Sequence, residues 1–218
     1  MLDFHSMPTD ACCICSQIAG DAGNDLIAHL LPHEPYMRRV LLENEAFAVI
    51  PSLGPLTPGH SLLCPKKHIR SFAALDDALW SRLAIVRTAL CDALQSLYSE
   101  RVHLFEHGMA REGNRTACTV EHAHMHFVPL PEGLDFTTGV SWMELDGSLE
   151  SLRAMVSDRE YVLYATPDGT SRVLIADGIE SQFMRRLIAE RLHRTEWDWR
   201  AAPHARAADA AWRRFVER

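Results

Sequence analysis

The sequence has no excess of positive charge: 22 Lys and Arg stand against 29 Asp and Glu, a formal net charge of −7. Sequence-independent binding to duplex nucleic acid needs a basic stripe, so a nucleic acid polymer is not an expected partner. No window approaches the eighteen or so consecutive apolar residues of a membrane helix, and no membrane partner is expected. The opening "MLDFHSMPTDACCIC" lacks the basic n-region and apolar h-region of a secretory signal, so the expected location is cytoplasmic. Six cysteines are therefore read as thiols in a reducing compartment rather than as a disulfide framework. Internal repeats and low-complexity tracts are missing. What remains, 47% apolar and 23% charged, suits a globular chain with a real core.

"RRVLLE" and "FAVIPS" read as two strands around a turn at Asn44-Glu45. "PSLGPLTPGH" is a Pro- and Gly-rich loop, and "HSLLCP" a third strand. Leu79, Leu83, Val86, Leu90, Leu94 and Leu97 recur at three- and four-residue spacing, a long amphipathic helix whose positive start suits Asp76 and Asp77. "RVHLFEHG" and "CTVEHAHMHFVPL" give strands four and five around a polar loop. After Gly133 come a short helix in "DGSLESLRAMV", a hairpin around Pro167-Asp168-Gly169, a helix in "GIESQFMRRLIAERL" and a last one in "DAAWRRFVER". The expected class is α+β: an arm over 1–11, a domain over 12–133 with a five-stranded antiparallel sheet and a long helix, and an α/β C-terminal extension over 134–218 packed on it.

The run "VEHAHMHFVPLP" carries the chemistry. On a strand, His122, His124 and His126 share one face at roughly 7 Å intervals, while Ala123, Met125 and Phe127 face the core. A solvent face is ordinarily mixed Lys, Glu, Thr and Ser, so three histidines point to a site. Two chemistries compete. Same-face histidines bind zinc, although the H-x-H-x-D-H pattern fails at Phe127. Alternatively, a neutral imidazole attacks phosphorus and forms a phosphoramidate, with a second histidine on the phosphate oxygens and a third group setting the tautomer. The pair Cys12 and Cys15 is open in the same way, as metal ligands or as small buried or reactive thiols.

Three blocks then resemble one family. "HAHMHFV" fits H-φ-H-φ-H-φ-φ, "PLTPGHSLLCPKKHIRSFAAL" is similar to a P-x-x-P-G-H-x-L-V-I-P-K-x-H-I segment, and "CCICSQIAGD" resembles a C-I-F-C-K-I-x-A-G-D opening. In this order they resemble the histidine triad (HIT) family of nucleotide hydrolases and transferases over residues 12–131. The resemblance implies the five-stranded fold, a homodimer, and a nucleotide or dinucleotide as the small-molecule partner. It implies His124 as nucleophile, His126 at the scissile phosphate and leaving group, and Thr119 as a phosphate support, with no organic cofactor. In the branch with the C-x-x-C opening it further implies a structural zinc held by Cys12, Cys15, His68 and His122.

The sequence departs from the family pattern at two positions of the candidate substrate site. Ser52 stands where many members hold ribose hydroxyls with an aspartate, and Glu106 replaces an asparagine at a strand end. His107 beside it is either a site residue or a surface histidine. In the extension, Gln182 and Arg186 are candidates to reach a substrate phosphate, against the alternative of a solvated or dimer-facing helix. The expected activity is hydrolysis of a nucleoside phosphate at the α-phosphate through a nucleotidyl-histidine. The alternatives are a nucleotidyltransferase or phosphorylase, or a nucleotide sensor with little turnover.

Overall fold

A computed structural model describes residues 12–108, 120–175 and 178–217. The expected arm at 1–11 lies outside them, as does Thr119. The described elements, in chain order, are α1 (Cys13–Ala19), α2 (Leu26–Leu30), β1 (Leu42–Glu43), β2 (Phe47–Pro51), β3 (Ser61–Pro65), α3 (Asp77–Tyr98), β4 (Arg101–Gly108) and β5 (Met125–Leu130). The extension adds β6 (Met143–Leu145), α4 (Leu149–Val156), β7 (Tyr161–Ala165), β8 (Ser171–Ile175), α5 (Phe183–Arg191) and α6 (Ala205–Val216).

The strands form one antiparallel sheet in the order β1-β2-β3-β5-β4-β7-β8-β6, and the fold is α+β. The five strands of the first part are as expected in number, and β7 extends them by pairing with β4 from Leu104↔Ala165 to Gly108↔Tyr161. The edge of β4 is therefore closed within the chain rather than left open. The first strand is shorter than "RRVLLE" suggests, because only Leu42 and Glu43 find ladder partners on β2.

Both faces of the sheet are covered. On one, α3 presents Leu83, Leu90 and Leu94, fully buried against Phe47, Leu63, Leu104, Met125 and Phe127. Each such leucine contributes about 1.5–3 kcal/mol of burial, so the three- and four-residue spacing is enough to seat the helix. Its start is fixed by Asp76, whose carboxylate accepts from Leu79 N–H. On the other face, α5 covers Phe105, Val128, Leu130, Val162 and Tyr164 with Met184, Ile188 and Ala189.

The fifth strand is shorter than expected. It begins at Met125, so of the three histidines only His126 lies in the ladder. The residues before it are tied to the 65–69 turn instead: Ala123 N–H donates to Ile69 O at 2.7 Å and His122 Nε2–H to Pro65 O at 2.8 Å. The alternation nevertheless persists through this segment, with Ala123, Met125 and Phe127 all in the core under α3.

Candidate functional site

The N-terminal segment folds back onto the histidine run. Cys12 precedes α1 and Cys15 lies in its first turn, which brings both thiols to one side. Cys12 Sγ lies 3.5 Å from His122 Nδ1, and Cys15 Sγ lies 3.3 Å from that nitrogen and 3.4 Å from His68 Nδ1. The four ligand atoms all fall within 4.8 Å of one another, a group that could hold a metal ion. With Zn–S near 2.3 Å and Zn–N near 2.0 Å, a tetrahedral zinc sets each S···N edge at about 3.5 Å. The donor set and its spacing fit that ion. His122 is also in the right tautomer, because its Nε2–H is given to the Pro65 carbonyl and Nδ1 keeps its lone pair.

Two residues on, the pattern reverses. His124 Nδ1–H donates to the His122 carbonyl at 2.6 Å, which leaves the lone pair on Nε2. Burial holds its pKa below the usual histidine value, so the ring is neutral and nucleophilic at neutral pH. His126 lies beside it, ring centroids 5.0 Å apart, and stacks on Phe105 at 4.1 Å. Its state is set by a residue that had figured only as part of a sequence block, His60. Leu56 N–H donates to His60 Nδ1 at 3.1 Å, so the His60 proton sits on Nε2. That Nε2–H points to His126 Nδ1 at 2.9 Å, so His126 in turn carries its proton on Nε2. Both rings are buried and held well below the usual histidine pKa by that burial. One ring thus offers a lone pair and its neighbour an N–H.

The loop that supplies this network depends on Gly59, at φ +84, where a Cβ would come within 2.4 Å of the Tyr98 ring. Thr57 anchors the same loop by donating to Pro129 O at 2.7 Å.

Two clefts meet at His124 and His126. The first, about 500 Å³, is mostly apolar: Ile14 and Gln17 of α1, Leu26, Ile50 and Leu62, with Ser52 and Trp199 at its wall. The second, about 440 Å³, is walled by His107, Ser181, Gln182 and Phe183. Arg185, Val120 and Trp199 line both. Ser52 is buried, with its hydroxyl donating to Leu53 O. His107 is a cleft residue rather than a surface one. It bonds Glu160 at 2.7 Å, and burial lowers its pKa to about 4.

Two expected substrate contacts are corrected. Glu106 is fully buried on the other face of the sheet: it pairs with Met125, whereas its neighbour Phe105 pairs with His126 and faces the cleft. Its carboxylate accepts from Phe72 N–H at 2.7 Å and Tyr161 O–H at 2.8 Å, and it lines neither of the two clefts. Arg186 turns away as well and pairs with Glu180. The arginine that enters the site is the preceding one, Arg185, because one residue rotates a helix position by about 100°. Gln182 does line the second cleft, but its amide donates to Asp198 at 2.8 Å and accepts from Trp199 N–H at 3.3 Å.

The site thus combines a neutral lone-pair imidazole, an N–H-bearing one beside it, and a Cys₂His₂ group that could hold a metal ion. The family model described as HIT domain matches residues 36–133. The resemblance carried by the three sequence blocks holds. A HIT-like protein of Mycoplasma pneumoniae, described as uncharacterized, is 27% identical over 142 residues, which is 64% of this chain and 86% of that protein. Among solved structures, a HIT family protein from Bacillus anthracis is 22% identical, covers 68% of this chain and 94% of its own, and superposes with a TM-score of 0.44. A zinc-bound histidine triad family protein from Mycobacterium smegmatis is 26% identical over 58% of this chain and 81% of its own, with a TM-score of 0.37.

Proposed function

We propose that the protein is a nucleotide hydrolase of the histidine triad type, acting at the α-phosphorus of a nucleoside phosphate. The observation that carries the reading is the opposed tautomers of His124 and His126. His124 Nε2 attacks phosphorus, a P–N bond forms, and the bond to the leaving group breaks with its electron pair on that group. The positive charge left on the ring is stabilised by the His122 carbonyl at Nδ1–H. His126 Nε2–H holds a phosphate or leaving-group oxygen by a hydrogen bond. Water then attacks phosphorus, the P–N pair returns to Nε2, and a water proton passes to solvent. Thr119 is proposed as a further support for the non-bridging oxygens.

The apolar first cleft suits a nucleoside, with Ser52 at the ribose. Residues 12–133 serve as the catalytic unit, and 134–218 as an extension that completes its clefts. Cys12, Cys15, His68 and His122 hold a structural zinc; four protein ligands leave no position for water, so the ion takes no part in the chemistry. The setting is a cytoplasmic homodimer.

The test is to incubate wild type and His124→Ala with AMP-, GMP- and UMP-linked compounds and look for a nucleotidylated protein by mass spectrometry. The adduct is expected on His124 in the wild type only. Undiminished turnover by His124→Ala overturns the proposal, and turnover with an acceptor alcohol or phosphate in place of water reassigns it to transfer.

A further inference from the structure

Arg185 is the most unusual charge in the molecule. It is 3% exposed, yet among the described residues it pairs with no carboxylate. Its Nε–H donates to Trp197 O at 2.9 Å and one Nη2–H to Gly54 O. A guanidinium has five N–H donors, so three have no partner among the described residues, on a side chain that lines both clefts. The nearest acidic influence is Asp198, whose Oδ1 accepts from Gln182 and from Arg200 N–H instead. Glu160 is held behind His107. A buried cation without a counter-anion is costly to maintain, and an anionic ligand removes that cost.

A second group points the same way. Ser181, on the wall of the second cleft, has a buried Oγ with no hydrogen-bond partner among the described residues. It lies four positions before Arg185, at the start of α5, where no side chain caps the first-turn N–H groups. The extension is pinned in this position by close approach. Gly54 N–H donates to Pro203 O at 2.6 Å, and a Cβ at Gly54 would lie 2.7 Å from Trp199 Cα.

We infer that the second cleft is an anion subsite for the leaving group, built by the extension from Arg185 and Ser181. The substrate is therefore a nucleotide joined through its α-phosphate to a further phosphate. This rests on the proposed nucleotide chemistry and narrows it to the phosphoanhydride class.

Binding to the His124→Ala protein by calorimetry separates the two readings, since no turnover intervenes. Adenosine, guanosine and uridine mono- and diphosphates are the probes. The diphosphate of the accepted base is expected to bind about 10-fold or more tightly than its monophosphate. The ratio should fall toward one in His124→Ala/Arg185→Gln, with partial rescue by Arg185→Lys. Ser181→Ala, which removes one hydroxyl and threatens no core packing, should lower it several-fold even if Arg185→Gln fails to fold. Equal binding of mono- and diphosphate overturns the subsite but leaves the nucleotide reading standing. If no nucleotide binds, both fall.

Discussion

His122 and His124 are the same residue two positions apart, and they end in opposite tautomers. His122 gives its Nε2 proton to the Pro65 carbonyl and keeps Nδ1 open toward two thiols. His124 gives its Nδ1 proton to the His122 carbonyl and keeps Nε2 open toward two clefts. In each case a backbone oxygen, not another side chain, decides which nitrogen is available. A row of histidines is thus not one site but a set of rings whose chemistry is assigned by the partner each one meets, a carbonyl for His122 and His124 and the His60 ring for His126.

The largest effect that sharpens this contrast is on turnover. His124→Ala is expected to reduce kcat by about 10⁴-fold or more while metal content and Tm stay near wild type. Cys15→Ser should do the reverse at first instance, lowering zinc content by metal analysis and Tm by about 10 °C. Because Ile14 and Gln17 of α1 line the first cleft, proposed for the nucleoside, loss of the metal should also raise KM. A Cys15→Ser protein with unchanged metal content and Tm breaks the comparison on the His122 side.

The strand–helix order of the first part was legible because its apolar spacing is regular, and the hairpin after it because Pro-Asp-Gly leaves little choice. The Cys₂His₂ group was implied by the family resemblance, since the Cys12 and Cys15 pair alone left ligands and plain thiols open, and the structure brings the four residues together. What the sequence did not convey was facing. Glu106 and Phe105 alternate across β4, and a departure from a motif at position 106 says nothing about which side of the sheet that residue takes. Arg185 and Arg186 differ by a single helical step, and the choice between them depends on how α5 docks, a tertiary fact. The role of His60 was hidden for another reason: its hydrogen bond to His126 spans 66 residues of chain.

A smaller effect tests whether the His126 tautomer is imposed from behind. His60→Ala removes the donor to His126 Nδ1 and frees that ring to place its proton on either nitrogen. The expected result is a kcat lower by about 10–100-fold with KM within about twofold. His60→Gln, whose amide N–H can donate in the same direction, should recover part of the loss. Wild-type kcat in His60→Ala would show that His126 holds its proton without help.

Glu106 supplies the control, a titratable group in the same sheet that serves neither the metal group nor the clefts. Burial pushes its pKa from the ordinary 4.5 up to about 7, against the opposing hydrogen bonds from Phe72 N–H and Tyr161 O–H. The folded protein therefore keeps this proton up to about pH 7, whereas the unfolded chain releases it near 4.5. The associated stability is fully present below 4.5 and is lost as pH rises through about 7, a change on the order of 3 kcal/mol. Glu106→Gln stays neutral throughout, and Tyr161 can accept from the new amide. Its Tm should match wild type near pH 4.5 and exceed it increasingly up to about pH 8, with kcat/KM changed by less than about threefold. A constant Tm difference across that range would mean the carboxyl is already ionised in the folded protein, and a large fall in kcat would return Glu106 to the substrate site.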